Sequence, residues 1–231
     1  MRSTKSAAEL KKLQRAAEIT DSVYEDVVRR IRVGQTELEV AQMIAAAISA
    51  GGGTLAFEPL VQFGANSAMP HHRPLHHRLA AGDLVLLDFG AAFEGYSADT
   101  TRMAVAGEPT PQQKEIHDVV LRSHDAGIAA IRAGVRAGDV DAAARRVIQD
   151  AHHGEHFIHR TGHGLGLEAH EDPSLDPGSL AHLEAGMVCT VEPGIYMQGW
   201  GGVRIEDDVV VEREGHRLLT QADRSLHVIR S

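Results

Sequence analysis

The chain has a single cysteine, Cys189, so no internal disulfide can form, which fits a reducing compartment such as the cytoplasm. No apolar run approaches the roughly 20 residues needed to span a bilayer, so a membrane partner is not expected. The opening residues, MRSTKSAAELKKLQRAAE, lack the apolar core of a secretory signal and read as folded chain. Excess positive charge is also missing. The net charge of −9 argues against nucleic acid as the main partner.

Several catalytic motifs are missing as well. There is no GxSxG nucleophile elbow, and Cys189 lies inside an apolar stretch, where it reads as packing. His159 and His163 are four apart, like the histidines of HExxH zinc proteases, but Arg160 stands where the glutamate would be. Gly162 and Gly164 also disfavour a helix there. GHGLG lacks the full spacing of a dinucleotide-binding loop, and no amphipathic helix obviously follows it.

What is present is a chain of 231 residues, 43% hydrophobic, with fifteen histidines. That length suits one sizeable domain or two halves sharing a core. Apolar residues at helical spacing predict a helix over 4–32, stopped by Gly34. Thr36 and Glu39 form a capping-box pattern for a second helix ending near Ala50. PLVQFG reads as a short strand, NSAMPHHRPLHHR as a loop, and DLVLLDFG as a buried strand. YSADTTRMAVAG leads into another strand. Pro111 opens a helix reaching about Ala133, and a further helix covers about 139–151. Beyond 159 the chain turns to strands, among them MVCTVEPGIYM and GGVRIEDDVVVE.

AIRAGVRAGDVDAAARRVI (130–148) echoes RIRVGQTELEVAQMI (30–44) at an offset of about one hundred positions. A helix pair followed by strands, occurring twice, predicts a duplicated α+β unit with a site between its halves.

Carboxylates sit where they are costly. Asp88 ends the apolar run Leu84–Leu87, Asp99 follows the turn signal GYSAD, and Glu192 follows MVCTV. Glu206 lies in an alternating segment, with Arg204 and Asp208 on its face. A buried carboxylate needs a pair, a hydrogen bond or a cation. Taken singly, Asp99 could be a turn residue and Glu206 a solvated strand face. Jointly, four carboxylates with one or more histidines could bind two divalent metals. His163 is flanked by glycine on both sides, which points to a close backbone approach there.

At this point LLDFGAAFEGYSADTTR, HRTGHGLGLEAHEDP, TVEPGIY and VRIEDDVVV together resemble the pita-bread metallopeptidases (M24) over nearly the whole chain. The resemblance implies an α+β pita-bread fold with pseudo-twofold halves, each a helix pair with antiparallel sheet. It implies metal ligands at Asp88, Asp99, His163, Glu192 and Glu206, with Asp99 and Glu206 bridging two divalent ions. Mn²⁺ is favoured by the oxygen-rich set, with Co²⁺, Fe²⁺ or Zn²⁺ also able to bind. GANSAMPHHRP, His159 and the R-I-E-D run at 204–207 resemble the proline-specific branch, the Xaa-Pro aminopeptidases and prolidases. Its substrates would be peptides with proline at the second position.

The resemblance assigns a bridging hydroxide as nucleophile and Glu192 as proton shuttle. His71 and His170 would contact the substrate or its oxyanion, and His159 would line the pocket. Arg204 would pair with Asp88 or anchor a substrate carboxylate. Proline-specific relatives usually carry a separate N-terminal domain. Residues 1–231 read as the catalytic domain without it, either as a fragment or as a single-domain version, and a homodimer is left open. A methionine aminopeptidase-like enzyme and a non-catalytic peptide-binding module are the alternatives.

Overall fold

A computed structural model describes residues 3–230. The α+β expectation holds. Helix α1 spans Ala7–Arg30, and Ser6 and Glu9 close a reciprocal capping box at its start. The predicted start at residue 4 is too early, because Thr4 bridges Met187 and the Lys5 amide donates to the Gly186 carbonyl. The first residues are thus tied to the far half of the chain before the helix begins. Helix α2 is Glu37–Ala50, capped by Thr36 and Glu39 as the pattern predicts.

Strands β1 (Thr54–Leu55), β2 (Leu60–Phe63), β3 (Leu84–Phe89), β4 (Ala91–Phe93), β5 (Tyr96–Ser97) and β6 (Thr100–Ala106) follow. The loop between β2 and β3 opens with a 3₁₀ turn over Gly64–Ala68. Helices α3 (Pro111–Ala130) and α4 (Ala137–Asp150) come next. α3 stops short of Ala133 because Ile131 is already extended and Gly134 turns the chain at φ 86°. The second half then supplies β7 (His163–Gly164), β8 (Glu171–Ser174), β9 (Val188–Val191), β10 (Gly194–Met197), β11 (Gly201–Arg204), β12 (Asp207–Glu212), β13 (Gly215–Leu218) and β14 (His227–Ile229).

The duplication is visible in backbone detail. Gly34 donates to the Leu79 carbonyl, and Gly134 to that of Leu183. Leu79 returns a bond to Gln35, and Leu183 returns one to Val135. α2 and α4 occupy the same span, offset by one hundred residues. The two larger sheets have the orders β14-β6-β3-β2 and β13-β12-β9-β7-β8, and two smaller ones the orders β1-β4-β5 and β10-β11. Alternation turns Val61, Phe63, Val85 and Leu87 onto Val27, Ile44 and Ile48 of the first helix pair. Cys189, Val191 and Val209 pack with Ile128 and Val140 of the second pair, so Cys189 is core, as the apolar stretch suggested.

Two sequence segments break where one strand was expected. MVCTVEPGIYM splits into β9 and β10 around Glu192-Pro193, and GGVRIEDDVVVE splits into β11 and β12 around Ile205-Glu206. Both breaks free a glutamate from the strand ladder. At the second, the Glu206 amide donates to the Thr101 carbonyl, which joins the two halves.

Candidate metal centre

The carboxylates and histidines singled out in the sequence line one cavity of about 340 Å³ between the halves. Asp88, Asp99, His163, Glu192, Glu206, Arg204, His71, His159 and His170 all reach it. Asp88 comes from β3, Asp99 from the turn before β6, and His163 from β7. Glu192 and Glu206 come from the two strand breaks. Asp99, His163 and Glu206 form a compact triple, each offering one ligand atom within 4.8 Å of the others. Asp88 and Glu192 share the cavity but stand outside that compact triple, each with a partner of its own.

Asp88 pairs with the Arg204 guanidinium. Of the two roles expected for Arg204, pairing with Asp88 is therefore the one its geometry shows. Arg204 also donates to the Thr101 hydroxyl at 2.9 Å and the Tyr196 hydroxyl at 3.0 Å. Glu192 Oε1 lies 3.2 Å from His163 Nε2 and accepts from the Thr190 hydroxyl at 3.1 Å. Glu206 accepts from the Thr101 hydroxyl at 2.6 Å. His163 Nδ1 sits 3.1 Å from the Gly164 carbonyl, which fixes the proton there and turns Nε2 toward the acids.

The electrostatics are unbalanced in the protein alone. Burial, then repulsion from Glu206 and Asp88, pushes the Asp99 carboxyl well above the usual range. Burial, then Glu192 and Asp88, does the same to Glu206. Asp99 Oδ1 is buried without any hydrogen-bond partner. At Glu192, burial favours the neutral form, yet the hydrogen bond and charge of His163 bring it down to about 2. An unpartnered buried oxygen, clustered like charges and an imidazole nitrogen aimed at them are what a divalent cation would satisfy. The residues therefore fit the metals that the family pattern implies.

Gly162 and Gly164 of HRTGHGLG lie where backbone segments approach closely. A Cβ at Gly162 would overlap the Thr190 carbonyl oxygen, and one at Gly164 would overlap that of Asp172. The close approach is strand to strand. It seats β7 against its neighbours so that the His163 amide can reach the Thr190 hydroxyl at 3.0 Å.

Tyr196 went unnoticed in the sequence. Its hydroxyl links His159 Nε2, at 2.9 Å, to Arg204, and burial pushes it up to about 12. The Y of TVEPGIY was its only signal. Asp208 was noted only as sharing a face with Glu206, yet its carboxylate accepts the Asp99 amide at 2.9 Å. His163 and His170 stack with ring centroids 4.2 Å apart.

A family model for metallopeptidase family M24 matches residues 11–213. Uncharacterized peptidase YqhT of Bacillus subtilis (strain 168) is 40% identical over 230 residues, covering 99% of this chain and 65% of the relative. An uncharacterized peptidase of Staphylococcus aureus (strain NCTC 8325 / PS 47) is 41% identical over 225 residues, covering 97% and 64%. The chain thus spans just under two thirds of the length of these curated relatives. Among solved structures, an X-Pro aminopeptidase from Thermotoga maritima MSB8 superposes with a TM-score of 0.97 at 38% identity, covering 99% of this chain and 65% of that one. An Xaa-Pro dipeptidase from Bacillus anthracis gives 0.97 at 41% identity, covering 99% and 64%. The pita-bread expectation is met. With its five ligand-competent side chains around one cavity between duplicated halves, the chain belongs to metallopeptidase family M24.

Proposed function

We propose that this chain is the catalytic unit of a metallo-exopeptidase that hydrolyses the Xaa-Pro bond at the N-terminus of peptides or in dipeptides. One observation carries the reading: three imidazoles, of His71, His159 and His170, line the same cavity as five ligand-competent residues. The likeness to the X-Pro aminopeptidase of Thermotoga maritima and the Xaa-Pro dipeptidase of Bacillus anthracis supports the proline preference. A cytoplasmic location is part of the proposal and rests on the lone, buried Cys189.

Asp88, Asp99, His163, Glu192 and Glu206 would hold two divalent cations, Mn²⁺ favoured. When bound, the cations would neutralise the clustered acids and lower the pKa of a water. The protein's own groups do the rest. Glu192 would accept a proton from the attacking water and hand it to the leaving prolyl nitrogen. His71 and His170 donate hydrogen bonds to the oxygen that gains charge at the scissile carbonyl. Burial lowers the His170 pKa, so its ring is neutral and still offers one N–H. His159 is held by Tyr196 and by the Arg160 carbonyl at 2.7 Å, and lines the pocket wall. Arg204 orients Asp88 and opposes the upward shift that burial imposes on its carboxyl.

The test compares Xaa-Pro, Xaa-Pro-Yaa and longer peptides with Met-Ala peptides, in chelator and with Mn²⁺, Co²⁺ or Zn²⁺ restored. Metal-dependent cleavage confined to Xaa-Pro bonds is expected. Preference for Met-Ala would move the enzyme to the methionine aminopeptidase type. Bound metal with no hydrolysis of any peptide would make the chain a binding module.

A further inference from the structure

His71 differs from the other cavity histidines. Its side chain is exposed, and among the described residues its ring makes no hydrogen bond. It nevertheless lines the same cavity as His159 and His170. An imidazole without side-chain partners can be aimed only by its backbone. That backbone lies in a long loop outside any strand or helix, between the 3₁₀ turn at Gly64–Ala68 and β3.

Two fully buried polar side chains hold this loop. Gln62 lies in β2, where alternation turns Val61 and Phe63 into the core and leaves Gln62 on the face of Leu60, a cavity residue. Its amide nitrogen reaches the carbonyls of Met69 at 3.1 Å and His72 at 3.0 Å, with that of Pro70 at 3.4 Å. Three carbonyls around one atom require that atom to be the nitrogen. These bonds bracket His71 on both sides.

Glu37, at the first turn of α2, holds the two ends of the loop. Its carboxylate accepts from the Phe63 amide at 2.8 Å, the Asn66 side chain at 2.9 Å and the Leu75 amide at 2.9 Å. The helix terminus adds its own free donors, since the Glu37 amide reaches the His77 carbonyl and that of Leu38 reaches Leu75. A carboxylate at the positive end of a helix is also favourably placed. A carboxylate that only accepts and an amide that here donates divide the loop's N–H and C=O groups between them.

We propose that Gln62 and Glu37 form a clamp that positions His71 over the metal cavity. They are positioning residues for substrate engagement, and neither lines the cavity itself. The proposal rests on the Xaa-Pro reading for its kinetic consequence, but not for its structural one.

The test uses Gln62→Met, which keeps volume and removes the donors, together with His71→Ala and the double variant. Gln62→Met should lower kcat/KM for Xaa-Pro peptides at least tenfold, with metal content unchanged. In the His71→Ala background it should cost less than twofold more, because it acts through that ring. Amide exchange over 69–75 should rise while exchange in β3 and β6 stays protected. Glu37→Gln, of the same shape but a weaker acceptor, should show the same dependence on His71 and serves if Gln62→Met does not fold. A loss that adds fully to that of His71→Ala, or unchanged exchange over 69–75, overturns the clamp. If the wild type cleaves no Xaa-Pro peptide, the functional reading fails, and the exchange measurement still decides the clamp.

Discussion

The Arg102 guanidinium and the Asp207 carboxylate form a fully buried ion pair at 2.6 Å, directly behind the candidate metal centre. Arg102 also donates to the carbonyls of Thr101, Glu206 and Ala222, and His124 Nε2 stands 3.1 Å from the other Asp207 oxygen. The pair thus fixes the backbone on both sides of the bridge between Thr101 and Glu206. At Asp207, burial favours the neutral form, but Arg102 and His124 bring it down to about 2.

Replacing Arg102 by Met would remove the nearer of the two guanidinium partners of buried Asp207 and leave only Arg224, at 3.7 Å. Breaking such a pair typically costs about 3–5 kcal/mol. Denaturant unfolding should show a loss of that order, and metal affinity measured by calorimetry should fall because Glu206 loses its backbone support. The sign of the pH dependence is fixed as well. A depressed carboxylate contributes stability above its unfolded pKa of about 4 and loses it as pH falls toward 2. That acid-labile share should be smaller in Arg102→Met. Wild-type stability in this variant would remove the ion pair from the account.

Asp99 and Glu206 act in the opposite sense. Burial and like charges raise both, so their stabilising contribution is complete below about pH 4 and is lost as pH rises through their folded values. In chelator, Asp99→Asn should therefore melt higher than wild type, by a margin that widens from pH 5 to pH 8. With Mn²⁺ added the order should reverse, because only wild type keeps the full ligand set. A margin that does not change with pH would count against charge repulsion in the empty centre.

Tyr196→Phe removes one hydroxyl and leaves His159 Nε2 and an Arg204 N–H facing each other without a mediator. An unsatisfied buried polar group costs about 1–3 kcal/mol. The expected result is a kcat lower by about tenfold to a hundredfold, with bound metal unchanged by elemental analysis. Loss of metal instead would mean that Tyr196 supports the ligands through Arg204 rather than the pocket wall.

Gly162→Ala should be far worse than an ordinary surface change, because its Cβ meets a backbone oxygen that cannot rotate away. Overpacking of this kind costs about 1–3 kcal/mol or more. The melting temperature should fall and metal binding should weaken together, since Thr190 both meets this glycine and holds the His163 amide. Retained stability with lost metal would point back to direct contact between this glycine and the centre.

The ligand-competent residues were legible because each sits in a short apolar or glycine-rich context where its polarity is conspicuous. The helices were legible from Thr36, Glu39 and Pro111, which carry their capping chemistry locally. The supporting groups were not. Arg102, His124 and Asp207 meet from three distant segments, and each alone reads as an ordinary charge. Gln62 looked like a polar residue in a short strand until its three carbonyl partners were brought to it by the loop. The break at Glu192 was marked by Pro193-Gly194, but the one at Glu206 was hidden, because Val203, Ile205, Val209 and Val210 carry an apolar strand signal on both sides of it.

The duplicated architecture has a consequence for how the molecule comes to be active. Asp88 and Asp99 belong to the first half, and His163, Glu192 and Glu206 to the second. Neither half alone owns a complete binding set, and β14 returns from the end of the chain to pair with β6 of the first half. On the proposed ligand set, cation capture would report that the two halves have docked in register. On the proposed function, a chain still partly assembled would have acids but no catalyst, and cleavage would begin only once folding is finished.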